Sequence, residues 1–207
     1  MDIETAILGR RSIRKFTDEK VPDDFLKKLV QMAIEAPSPG NKKLWHFYII
    51  RDKGLLEKMA GIVESELESL VSIAGVCPEI MHGPKRSSTW FKEAPAVIAV
   101  TTSVYRSKID KTLLEAGYTN EEVDALRCRP DLQAMGAAIQ NMLLAAHACG
   151  YGTCWLTGPM LARRQLEEHL GIKRPEILAA LVALGQPEYS PPRPQSKLLE
   201  EFYTFRD

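Results

Sequence analysis

The run from Asp131 to Cys149 contains no proline, is rich in alanine, places an acid in its first turn and meets Gly150 where a left-handed cap would close a helix. It predicts one long helix. Its apolar residues (Leu132, Met135, Ile139, Met142, Leu143 and Ala146) fall on more than one face, which a one-sided surface helix does not show. Small residues at 134, 136, 137, 138, 145 and 146 let neighbouring backbones approach closely. A chain built around such a helix must lay other layers against several of its sides. The segment that follows, Gly150-Tyr-Gly-Thr-Cys-Trp-Leu-Thr-Gly158, decides whether that helix is only core or also supports a site.

Other elements fall into place around it. Ile3 to Leu8 is a short amphipathic helix that Gly9 can end. Val21 to Ala36 starts with a proline and two acids and carries apolar residues at 25, 26, 29, 30, 33 and 34, the spacing of an amphipathic helix. Pro37 and Pro39 oppose its continuation. Trp45 to Ile50, Ala96 to Thr101, Thr153 to Thr157 and the wholly apolar Ile177 to Leu184 read as strands, the last as a central one. Helices are expected from Asp52 to about residue 73 and from Leu161 to Leu170. Residues 75 to 95 and 103 to 129 show no sustained period, apart from a weak helix near Glu121 to Leu126. They read as irregular excursions, and long excursions are often lids. Few, short, buried strands among helices predict an α+β fold with one sheet covered by helices.

At 207 residues the chain fits a single domain, 1–207, and no proline- or serine-rich linker divides it. Lys plus Arg and Asp plus Glu each number 27, so no global field recruits nucleic acid or an anionic membrane. Cysteines 77, 128, 149 and 154 form no C-x-x-C pair and have no histidine at zinc-ligand spacing, which points to reduced thiols and no metal site. Without a leader-like apolar run or a stretch of about 18 apolar residues, a cytoplasmic location is expected.

Chemistry is concentrated in Arg10-Arg-Ser-Ile-Arg-Lys-Phe16. In an extended segment Arg10, Ser12 and Arg14 point one way while Ile13 and Phe16 can face the core. Guanidinium forks and a hydroxyl would grip phosphate oxygens; a solvated basic turn has the same composition. A dinucleotide fingerprint is excluded, because Gly150 and Gly152 close a helix instead of opening one and Trp155 takes the third glycine position. P-loop, nucleophile-elbow and zincin motifs do not occur.

These residues, together with Ala36-Pro-Ser-x-x-Asn41 before Trp45-His-Phe47, Ala94-Pro95 before a strand, Gln140 to His147, Gly150 to Leu156 and Gly185-Gln-Pro187, resemble the nitroreductase family of FMN-dependent oxidoreductases over nearly the whole chain. The resemblance implies a mixed, mainly antiparallel sheet and a homodimer with FMN at its interface. It implies that Arg10, Ser12 and Arg14, backed by Arg11, hold the FMN phosphate and ribityl chain. Ser38 and Asn41 would reach the flavin of the other subunit, and the backbone from Trp155 through Leu156 and Thr157 to Gly158 would lie near flavin N5. Where the family places a basic residue before a Leu-Glu-Glu run this chain has Ser196, so that contact falls to Arg193 or, second, Lys197. Lys43-Leu44 stands where the family reads Gln-Pro.

The resemblance implies hydride transfer from NADH or NADPH to a small electrophile such as a nitroaromatic or quinone, with no side chain needed as acid or base. Other FMN chemistry (dehalogenation, ring fragmentation, oxidation) and a flavin-binding protein without turnover are the alternatives. Three further residues carry a functional and a structural reading. Cys128 lies between two arginines, His147 sits on the long helix as a core histidine, and His82 in the excursion could touch substrate. The tail from Leu198 to Phe205 follows Pro191, Pro192 and Pro194 and is apolar enough to be an arm laid along a partner.

Overall fold

The structure is a computed structural model and describes residues 1–75, 82–193 and 199–206. Cys77, the start of the first excursion, and the tail residues Ser196, Lys197 and Leu198 lie outside the described residues.

Four strands, β1 (Trp45–Ile50), β2 (Ala96–Ser103), β3 (Gly152–Leu156) and β4 (Glu176–Gly185), form a sheet in the order β1-β2-β4-β3. Every ladder is antiparallel. The expected mixed character is confined to an isolated parallel bridge between Ser12 and Thr153. Both faces of the sheet are buried, which is why β2 and β4 carry apolar residues at nearly every position. Ala96, Ile98 and Val100 of β2, with Ala180, Val182 and Leu184 of β4, pack on one face. Val97 and Ala99, with Leu181 and Ala183, pack on the other. A bulge between Val100 and Thr101 shifts the register towards Glu176, whose carboxylate accepts hydrogen bonds from Thr101 Oγ1 (2.8 Å) and Tyr48 Oη (3.2 Å).

The first face is covered by α2 (Asp23–Ala33) and the long helix α7 (Pro130–Ala148), with α1 (Ile3–Gly9) against α7. α7 begins and ends one residue earlier than expected. Its C-terminus closes as the sequence indicates: Gly150 has φ +82°, the Tyr151 N–H donates to the Ala146 carbonyl (2.9 Å) and the Gly150 N–H to that of His147 (3.0 Å). Burial covers Met135, Ala138, Ile139, Met142 and Ala146, whereas Ala137, Gln140 and Leu144 keep solvent contact on another side. The second face is covered by α3 (Lys53–Ala74) and α8 (Arg163–His169), the latter preceded by a 3-10 turn from Gly158 to Ala162.

The two irregular excursions are largely helical. The first holds α4 (His82–Thr89) and a 3-10 turn over Trp90–Glu93. Gly83 and Pro84 lie in the first turn of α4, where a missing N–H costs nothing, but they hide the helix from a propensity reading. The second holds α5 (Lys108–Glu115) and α6 (Asn120–Arg127), each opened by a capping box: Ser107 with Asp110, Thr119 with Glu122. Arginine–aspartate pairs tie them to each other and, through Arg129, to the start of α7. Arg127 meets Asp110 (3.3 Å), Arg106 meets Asp124 (2.5 Å), and Arg129 bridges Asp124 (3.6 Å) and the buried Asp131 (2.5 Å). Cys128 and Arg129 make the sharp turn between α6 and α7, both with φ +50°. No helix among the described residues is long and apolar enough to cross a membrane.

Candidate active site

The basic segment after α1 is held at the edge of the sheet by its own backbone. The Ile13 N–H donates to the Thr153 carbonyl (2.9 Å), the Thr17 N–H to that of Gln186 (3.0 Å) and the Glu188 N–H to that of Lys15 (3.1 Å). Ile13 is buried, and Gly152 is the reason it can be: a Cβ there would lie 2.8 to 2.9 Å from the Ile13 side chain. Phe16 packs into the α3 side of the core, 6.4 Å from the Trp90 ring. The alternation expected from the sequence therefore turns Arg10, Ser12 and Arg14 towards one place.

Cys154 marks that place. Burial pushes its thiol above the ordinary value, against the opposing pull of Arg14, a hydrogen bond with Ser12, and Arg10. None of Arg10, Arg11 and Arg14 forms an ion pair with a carboxylate among the described residues. Arg11 turns its guanidinium to the carbonyls of Leu8 (2.8 Å) and Arg10 (2.9 Å), and its buried Nε has no partner. His147 is half-buried beside them, close enough that a Cβ on Gly9 would meet its Nε2 at 2.8 Å. Burial, then Arg10 and Arg11, hold its pKa below the ordinary histidine value. It lies at the rim of the arginine cluster instead of in the core.

Next to this cluster runs the end of β3. Leu156 is buried in the α3 side, so only its backbone is available, while Trp155 is 36% exposed and its ring reaches Gly136 of α7. Thr157 is exposed and Gly158 half-buried, both just past the end of the strand rather than in it. Ser88 of α4 packs against Gly158 so closely that a Cβ there would lie 2.5 Å from its Oγ. That contact brings α4 to the site. Between α4 and Arg14 a cavity of about 660 Å³ opens, lined also by Lys15, Arg86, Lys92 and His82. His82, the first residue of α4, shares this cavity with Arg14. Sequence reasoning missed Arg86, Ser88 and Lys92, although the Lys85-Arg86 pair before Trp90 was a visible signal.

Ser38, Asn41 and Arg193 are not gathered into this cluster. Ser38 Oγ accepts from the Lys43 N–H (3.1 Å) and the Asn41 N–H donates to the Ser38 carbonyl (2.9 Å), closing a tight turn against α7 and Tyr105. Asn41 and Lys43 hold left-handed angles there, φ +52° and +47°. Arg193 is exposed, with no hydrogen bond or ion pair tying it to Arg10, Ser12 or Arg14. Cys128 is exposed, its thiol directed at the Ala125 carbonyl (3.8 Å), far in sequence and packing from the arginine cluster.

The model of the nitroreductase family matches residues 7–186 of the chain. A protein of Methanothermobacter thermautotrophicus, provisionally named an NADH dehydrogenase/NAD(P)H nitroreductase, is 30% identical over 197 residues, 92% of this chain and 80% of its own length. A BluB-like flavoprotein from Clostridium difficile superposes with a TM-score of 0.90 at 32% identity, covering all of both chains. A nitroreductase with bound FMN from Desulfitobacterium hafniense, 22% identical, shares the fold over the full length of both chains with a TM-score of 0.72.

Proposed function

This chain belongs to the nitroreductase family, and on that premise we propose that it is an FMN-dependent oxidoreductase drawing electrons from NADH or NADPH and delivering them to nitroaromatic, quinone or similar small electrophiles. The observation that carries the reading is the group Arg10, Ser12 and Arg14, fixed by pairing with Thr153 and left without an acidic partner among the described residues. A cluster of guanidinium groups with no carboxylate to neutralise it, and one buried orphan N–H on Arg11, suits a phosphate-bearing cofactor. The FMN of the Desulfitobacterium hafniense neighbour supports the identity of that cofactor.

Bound there, FMN supplies the two-electron chemistry of its isoalloxazine N5. The protein's part is orientation and electrostatics. Arg10, Ser12 and Arg14 take the phosphate and ribityl chain, with Arg11 behind them. Trp155 would pack beside the ring, and the Thr157 and Gly158 amides would be the donors available to it, with the positive charge of the arginines favouring a reduced, anionic flavin. No side chain need be an acid or base. Ser38 and Asn41, held in a turn against α7 and not gathered into the cluster, would reach the cofactor of a second copy in a homodimer, and Arg193, exposed and outside the cluster here, would come to the phosphate only with the tail repositioned. The donor and the acceptor use one open site in turn, in a cytoplasmic setting.

Releasing the cofactor of the purified protein by heat and separating it chromatographically tests this reading. FMN in near-stoichiometric amount is expected. FAD alone, or no flavin retained after reconstitution with FMN, refutes it.

A further inference from the structure

The cavity between α4 and Arg14 holds more positive charge than FMN binding requires. Five cationic side chains line it, Arg14, Lys15, Lys85, Arg86 and Lys92, against two carboxylates, Glu64 and Glu93. Lys85 is consumed by Glu64 and by Glu68 (3.0 Å). Arg14, Lys15, Arg86 and Lys92 have no ion pair or side-chain hydrogen bond among the described residues. The chain as a whole is neutral, so this excess is local. Unpaired like charges gathered around one cavity repel each other, and an anion seated among them removes that cost.

The size of the cavity, about 660 Å³, is that of a small-molecule site and not of a surface for a polymer. Its position narrows the ligand. One wall carries Arg14, proposed above for FMN, and another is α4, whose Ser88 lies against Gly158 at the end of β3, so the cavity flanks the proposed flavin site. A reduced nicotinamide stacked on a flavin held there would have the cations of α4 beside its phosphates. Several separate cations match several phosphate groups better than a single carboxylate.

Resting on the proposed function, we infer that this cavity binds the phosphates of the electron donor, and that Arg86 and Lys92 make the protein favour NADPH over NADH through the additional 2′-phosphate. The shared chemistry is a phosphate-bearing small anion. An anionic acceptor is the competing source of such a ligand.

Calorimetric titration of the flavin-loaded protein with NADP+ and with NAD+, which bind without reacting, tests the inference. NADP+ is expected to bind at least about tenfold tighter, the scale of one charge-assisted contact. Raising the salt should shrink that ratio. The Arg86→Glu/Lys92→Glu variant should bring it close to one at unchanged flavin content, and the milder Arg86→Gln should reduce it in part. Equal affinities in the wild-type protein, or a preference that survives both variants, overturns the inference. So does a variant that loses affinity for a sulfonated naphthoquinone while keeping its NADP+ preference, since the cavity would then serve the acceptor. Flavin stoichiometry on the same samples reports separately on the proposed function: a protein that retains no FMN fails that reading, whatever the nucleotide ratio.

Discussion

Arg14 is the side chain on which most of the site turns. It is exposed, pulls on the Cys154 thiol and lines the basic cavity. Arg14→Ala should weaken FMN binding by about 1.5 to 3 kcal/mol, the worth of a hydrogen bond to a charged group, without unfolding the protein. Flavin fluorescence titration checks it, and unaltered affinity would remove Arg14 from the site. Gly152 tests the support beneath. A methyl there meets Ile13, which is branched at Cβ and cannot swing aside, so Gly152→Ala should push the basic segment off the edge of the sheet. Loss of about 1 to 3 kcal/mol of stability, with weaker flavin binding, is the expected result in urea unfolding and titration. At this scale much was legible. The alternation of Arg10, Ser12 and Arg14 against Ile13 follows from the two-residue period of extended chain, and the structure keeps it. Ser88 was invisible because its importance depends on contact with Gly158, seventy residues away in sequence.

Among the elements, strands and long helices were readable because both faces of β4 and several faces of α7 are covered, and burial writes itself into composition. The two excursions were not. α4 is polar with an early proline, and α5 and α6 are short and charged; what holds the latter two is their capping boxes and the arginine–aspartate pairs that tie them to each other and to the start of α7, polar contacts that leave no periodic trace. Asp110 illustrates their dependence on charge. Burial raises its pKa, but bonds from the Ser107 amide and hydroxyl, with Arg127 and Arg106 nearby, outweigh it and set the net value below the ordinary 3.8. A carboxylate whose folded pKa is depressed contributes stability that is present above its unfolded value and is lost as pH falls through the folded one. Asp110→Asn should therefore lower the urea midpoint at pH 7, and the gap to the wild type should narrow as pH falls below 3.8. A gap between the two proteins that stays constant with pH would contradict this account of α5.

For the whole molecule, the tail sets the question. Leu199, Phe202, Tyr203 and Phe205 are 48 to 83% exposed, more apolar surface than a free arm keeps in water. Ser38 and Asn41 lie away from the arginine cluster of their own chain. The proposed second copy would account for both, and if FMN binds only the dimer, flavin and dimer would stabilise one another by mass action. Removing residues 198–207 should weaken dimerisation and FMN binding together; a fully flavinated monomer, seen by light scattering, would show the interface proposal to be wrong. The central claim is that electrons enter and leave through one FMN held at Arg10, Ser12 and Arg14. Anaerobic stopped-flow mixing of the yellow protein with NADPH measures it directly, followed by a second mixing with a quinone. The account predicts rapid bleaching of the flavin absorbance, its full return on adding the quinone, and parallel double-reciprocal lines in steady state. A flavin that neither NADPH nor NADH bleaches within the time of turnover would contradict it.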